Sequence, residues 1–248
     1  MPQVDVKIPR RLNYRQLTRC PLNNLALVLP LLIAFQVGAF FYGTDLTLLA
    51  PRYLRAVLDF FGARAGFLPA LLIVAVLLVQ HLAQKDPWEI QPHVLAGMVG
   101  EAIIWTIPLI AISYLTGKIA AASASAGQAH DAIQVGLIAV GAGLYEEFMF
   151  RMVLISLLML LFVDVLALRK DSMTVLAVVS GSVLFALCHF DFLGGSRAFG
   201  WGPFIFLCMA GILWGSIFIF RGFGIAVGSH IFWDVFVLLA SPRNLFGA

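Results

Sequence analysis

"AGLYEEFMFRMVLISLLMLLF", residues 142–162, is apolar enough to lie in a lipid bilayer, yet it holds two adjacent glutamates and an arginine. Working outward, charge-free apolar stretches recur at 20–44, 65–84, 102–117, 132–145, 152–163, 172–190 and 198–220, and 222–240 carries only Asp234. Most approach the roughly 20 residues that a helix needs to cross the hydrocarbon. Over all 248 residues, 61% are hydrophobic and 12% charged, and the mean hydropathy is +0.97, far from that of a soluble domain. No segment alternates apolar and polar residues as a barrel strand does. The sequence therefore predicts an all-α, polytopic integral membrane bundle of six to eight transmembrane helices, in which each segment satisfies its own backbone.

Five cations, Lys7, Arg10, Arg11, Arg15 and Arg19, precede the first span. They predict a basic cytosolic tail over residues 1–20, followed by a single helical membrane domain over 21–248, in a cell membrane or endomembrane. The partners expected of such a basic margin are anionic membrane lipids and not nucleic acid. Segment 45–64 mixes Arg52, Arg55, Asp45 and Asp59 with leucines around Pro51, the pattern of an interfacial amphipathic helix. Residues 121–130, AASASAGQAH, read as a loop. Arg52, Arg55 and Arg64 would fall outside if residues 45–64 stay on the far face, while Arg169 and Lys170 pull the other way, so the charges leave the orientation of the later helices open. Cys20, Cys188 and Cys208 are too few and too scattered for a disulfide framework or structural zinc, although Cys20 beside the basic leader is a candidate for acylation.

Intramembrane acids need partners or water. Glu147 and Arg151 stand four apart with the acid first, the favourable order for a helical ion pair. Glu146 lies about 100° further round and is left free for proton transfer. FALCH puts Phe185 and His189 one turn apart, and HIFWD does the same for His230 and Asp234. His81, His93 and His130 lie near span ends and suggest no chemistry, and Trp201, Trp214 and Trp233 read as interface anchors or core. At about 1.5 Å per residue, a helix starting near Tyr145 after a break at Gly141 and Gly143, and a return helix from Ser172, bring His189 level with Glu146. Later glycines at 194, 195, 200 and 202 allow either loose helices around a wet cavity or close packing.

These residues resemble a known family. EEFMFR at 146–151 is similar to the EExxxR motif of the CPBP family, the CAAX-protease and bacteriocin-processing (Abi) intramembrane proteases; FALCH resembles its FxxxH and HIFWD its HxxxN/D. The resemblance spans a motif region of about 140–240. It implies peptidase activity on a membrane-bound or prenylated protein or peptide, with Glu146 and His189 activating water and His230 and Asp234 stabilising the oxyanion. Glu147, Arg151 and Phe185 would then be structural or orienting. Family members acting on prenylated proteins carry asparagine where this chain has Asp234, and an ionised carboxylate cannot donate to an oxyanion.

Metal dependence is undecided by the residues. His189, His230 and Glu146 would be the ligands of an open zinc site, whereas a glutamate and histidine acting as general base need no cofactor, and no HExxH is present. Two other classes compete with an intramembrane endopeptidase. One is a proton-coupled transporter with a carboxylate and histidine relay, which Glu101 favours. The other is a non-catalytic membrane scaffold or immunity protein.

Overall fold

The computed structural model describes residues 12–42, 48–60, 62, 66–115, 132–195 and 197–239. Lys7, Arg10, Arg11, Asp45, Arg64, His130 and the 121–130 loop lie outside them. The elements are α1 (Tyr14–Leu17), α2 (Pro21–Tyr42), α3 (Leu49–Phe60), α4 (Leu68–Gln84), α5 (Pro92–Leu115), α6 (Ala132–Val165), α7 (Lys170–Cys188), α8 (Trp201–Arg221) and α9 (Phe223–Leu239). Among the described residues there is no strand, only an isolated bridge between Phe190 and Arg197. Five helices, α2 and α5 to α8, are long and apolar enough to cross a bilayer, and α4 and the apolar part of α9 are shorter. The protein is thus an integral membrane helical bundle. The 12-residue α3 falls within the segment expected to be amphipathic and is too short to cross.

Small residues let the helices meet, as expected where lipid supplies no hydrophobic drive between them. Gly211 lies against Ser182 and Gly215 against Val178, so α7 and α8 run antiparallel. Continuing that register brings Arg221 level with Ser172 and Trp201 level with Phe192. The bundle therefore has two ends, each defined by its own contacts. At one end, Asn24 of α2 donates to the carbonyls of Thr18 and Cys20 and accepts from the Gly224 amide of α9 at 2.6 Å. The α8–α9 turn is the single residue Gly222 at φ +104, where a side chain would be strained and would meet the Thr18 carbonyl. Cys20 donates to Asp86 beyond α4 at the same end. At the other end, Arg52 of α3 donates to the Gly194 carbonyl at 2.5 Å, and the Tyr53 hydroxyl donates to the Leu193 carbonyl.

One expectation is corrected. Gly141 and Gly143 do not break the chain: α6 is continuous over 34 residues, and its winding first changes beyond them, at Phe148, where an α-helix (Ala132–Glu147) becomes π-helical (Phe148–Ile155), followed by an α-helical turn (Ser156–Met159) and a second π-helical stretch (Leu160–Val165). A π-helical stretch is rare and tends to mark functional sites. The glycines serve packing instead. A Cβ on Gly141 would collide with Phe35 and Leu48, and one on Gly143 would meet Ile231 and approach the Ile231 amide and Val227 carbonyl at 3.2 Å.

Because α9 backbone blocks that position, Gly143→Ala should lower the unfolding temperature in detergent, by an amount equivalent to about 1–3 kcal/mol. Gly136→Ala, where nothing lies within 4 Å, should leave that temperature unchanged or raise it.

Candidate active site

Glu146 and Glu147 stand at the point where α6 changes winding, and both are buried. Glu147 is fully enclosed. Its Oε1 lies 3.1 Å from Arg151 Nη1 and accepts from His230 Nδ1 at 2.8 Å. The pairing four residues apart was legible in the sequence; the bond to α9 was not. A carboxylate shared between two donors is the arrangement that makes a charge tolerable in a dry bundle. Arg151 in turn reaches the Gly211 carbonyl of α8 at 3.4 Å, and its guanidinium lies 4.4 Å over the Phe185 ring and 5.5 Å from that of Trp214.

Glu146 faces the two histidines. Its Oε2 lies 3.7 Å from His189 Nε2 and 3.8 Å from His230 Nε2. His189 caps the C-terminus of α7, and its Nδ1 bonds the Phe185 carbonyl at 2.7 Å. A carbonyl only accepts, so Nδ1 carries the proton and a neutral His189 presents the Nε2 lone pair to Glu146. His230, with Nδ1–H given to Glu147, turns Nε2 toward Glu146 and toward Asp234 Oδ2 at 3.6 Å. Phe185 packs against His189 at 4.6 Å and against His230 at 6.3 Å. The structure thus brings all seven sequence-predicted residues into one cluster drawn from α6, α7 and α9.

The cluster opens one way. On α7 the more exposed member is His189 (21%) against Phe185 (1%); on α9 it is Asp234 (25%) against His230 (4%); on α6 it is Glu146 (10%) against Glu147 (0%) and Arg151 (2%). In each pair the exposed residue is nearer the end that holds Leu193 and Gly194. Arg151, Phe185 and Trp214 close the opposite side.

Two residues of the cluster were not identified from the sequence. Trp214, read as anchor or core, is core and also stacks on His230, with ring centroids 3.9 Å apart and planes at 12°. Arg197 lies in the loop between α7 and α8, which folds tightly back: Gly195 packs on the His189 carbonyl where a Cβ would clash, and the Asp191 amide bonds the Arg197 carbonyl at 2.8 Å. That fold brings the Arg197 guanidinium within electrostatic reach of Asp234 and Glu146. No helical spacing connects either residue to the three motifs, so only the fold reveals them.

Other expected residues lie elsewhere. Glu101 is held by Arg221 at 2.8 and 2.5 Å, at the Asn24 end of the bundle, and joins no relay with Glu146. Cys20 is buried; that burial, aided by the bond to Asp86, pushes its thiol up to about 12, which makes it a poor nucleophile for acylation. His81 packs edge-on against Trp88 at 4.4 Å. Among the described residues no three His, Cys, Asp or Glu side chains are arranged to hold one metal ion.

The helical membrane bundle thus places a buried glutamate opposite two histidines, and comparison with known families bears on what such a centre is. Residues 128–236, which contain every candidate residue, match the family model described as type II CAAX prenyl endopeptidase Rce1-like. That match supports a CAAX-protease assignment for the segment, the family that the three motifs resemble. No curated protein and no solved structure matches the chain.

Removing Glu147 leaves Arg151 buried without its carboxylate, so Glu147→Ala should cost about 3–5 kcal/mol in a thermal or denaturant melt. The double replacement Glu147→Leu with Arg151→Met should recover most of that stability. It should not recover turnover, because His230 would still lack its acceptor.

Proposed function

We propose that the protein is an intramembrane endopeptidase that hydrolyses a peptide bond of a membrane-associated or lipidated protein with water activated by Glu146 and His189. One observation carries this reading: a carboxylate oxygen and an imidazole lone pair face each other at 3.7 Å. Two acceptors so placed do not bond one another, but a water between them can donate one hydrogen to each. Its oxygen is then directed at whatever carbonyl enters from the open end.

The reaction balances on residues of this chain. The water oxygen bonds to the carbonyl carbon while its proton passes to Glu146. The oxyanion forms near His230, whose Nε2–H donates when the ring is protonated and whose plane is held by Glu147 and Trp214. Glu146 then gives the proton to the leaving nitrogen as the C–N bond breaks, which yields a carboxylic acid and an amine, and the acid's remaining proton passes to the amine or to water. Asp234 donates to the oxyanion in its protonated form and orients His230 in its ionised form. This route draws on no metal. The one-sided opening suits a hydrolase better than a transporter, which needs access from both faces, and the pairing of Glu101 with Arg221 removes the acid that favoured a relay.

The test is cleavage of a prenylated CAAX peptide and an unprenylated control by detergent-purified protein. Glu146→Gln should reduce the rate at least 100-fold without lowering the melting temperature, and chelation should leave the wild-type rate unchanged. An undiminished rate in Glu146→Gln would remove that residue from its role. Asp234→Asn, whose amide can donate without a proton, should keep the rate within about tenfold of wild type, while Asp234→Leu should lose more.

A further inference from the structure

The short helix α3 joins the two sides of the water-activating pair. On the Glu146 side its contacts are apolar: Ala50 and Leu54 are buried in the same core cluster as Tyr145 and Phe148, the residues that flank the two glutamates. Leu48, just before α3, fills the space over Gly141, a little over one turn before Glu146 on α6. On the His189 side the contacts are polar. Arg52 donates to the Gly194 carbonyl at 2.5 Å, and the Tyr53 hydroxyl donates to the Leu193 carbonyl. These carbonyls end a 3-10 turn (Asp191–Leu193) that stops at Gly194, whose φ of +84 favours glycine. The last carbonyls of a helical turn find no backbone donor within it. Here α3 supplies the donors, from 142 and 140 positions away in the chain.

The loop held in this way is closed on His189. The Gly195 amide bonds the Phe190 carbonyl at 2.9 Å and the Asp191 amide bonds the Arg197 carbonyl at 2.8 Å, so Phe190, Asp191, Gly195 and Arg197 form one bonded unit. A Cβ on Gly195 would collide with the His189 carbonyl, which leaves that unit no slack against the histidine. His189 itself stands at the C-terminal cap of α7, where helical hydrogen bonds hold it from one side only. Its ring must nevertheless stay 3.7 Å from Glu146. We infer that Arg52 and Tyr53 are positioning residues: α3 braces the loop against His189 and so fixes that histidine relative to Glu146. The part played in a reaction rests on the peptidase reading; the brace does not. Both residues act through the loop, and neither belongs to the catalytic cluster.

The test uses the full chain in detergent with Tyr53→Phe, Arg52→Met and the two combined, which remove the donors and keep most of the side-chain carbon. Hydrogen exchange is read by mass spectrometry on the peptide that holds the Asp191 and Gly195 amides. In the combined variant that exchange should speed up about tenfold or more, while a peptide from Phe148–Ile155 should exchange as in the wild type. Cleavage of the prenylated CAAX peptide should lose about tenfold in kcat, with KM changed less than about twofold. Arg52→Lys, which keeps a donor, should recover most of what Arg52→Met loses. Unchanged exchange in the combined variant would overturn the brace. Faster exchange with a wild-type kcat would overturn the positioning role. Exchange is also measured in Glu146→Gln, where the loop should stay as protected as in the wild type. Cleavage that does not depend on Glu146 would sink the peptidase reading, and exchange would then decide the brace by itself.

Discussion

A fully buried carboxylate constrains this molecule more than any other group. Glu147 has no access to water, so it must be met by donors, and the two it finds lie one turn along its own helix and on α9. Losing either would expose several kcal/mol of desolvation cost. The rest of the centre is assembled around that pair. Arg151, fixed by Glu147, rests on Phe185 of α7 and reaches the Gly211 carbonyl of α8. His230, also fixed by Glu147, is stacked on Trp214 of α8. One ion pair thereby sets the relative placement of four helices.

That placement explains the division of labour between neighbouring glutamates. About 100° separates adjacent residues on a helix, enough to send Glu147 into the seal and Glu146 toward the opening. Both histidines spend Nδ1 on a fixed acceptor, the Phe185 carbonyl for His189 and Glu147 for His230, and so present Nε2 to Glu146. The atoms that the proposed reaction uses are thus held by groups to which it assigns no proton transfer. Such preorganisation is the usual source of catalytic electrostatics in a site with little water.

Packing in lipid explains why glycines lie where they do. Gly143 brings α9 against α6 at the level of the acids, and Gly211 and Gly215 bring α8 against α7. Without close approach the Glu147–His230 bond could not reach 2.8 Å. Expecting Gly141 and Gly143 to break the helix overweights local propensity, because a bilayer favours continuous backbone hydrogen bonding and the close neighbours supply dispersion contacts. Gly195 has a related use outside the spans, where it lets the loop fold onto the His189 carbonyl and return Arg197 toward the site.

Local spacing was enough to read the helical class, the Glu147–Arg151 pair, the Phe185–His189 and His230–Asp234 turns, and the likeness to CAAX proteases. Each depends on residues within a few positions of one another, where helical geometry fixes what can meet. The bond from Glu147 to His230 spans 83 residues, and Trp214 and Arg197 join the cluster from helices and loops with no periodic relation to the motifs. Contacts of that range are set by how helices pack against each other, which the pattern along any single helix does not encode. The direction of opening belongs to the same category, since burial of one end of a cluster is a property of every helix around it.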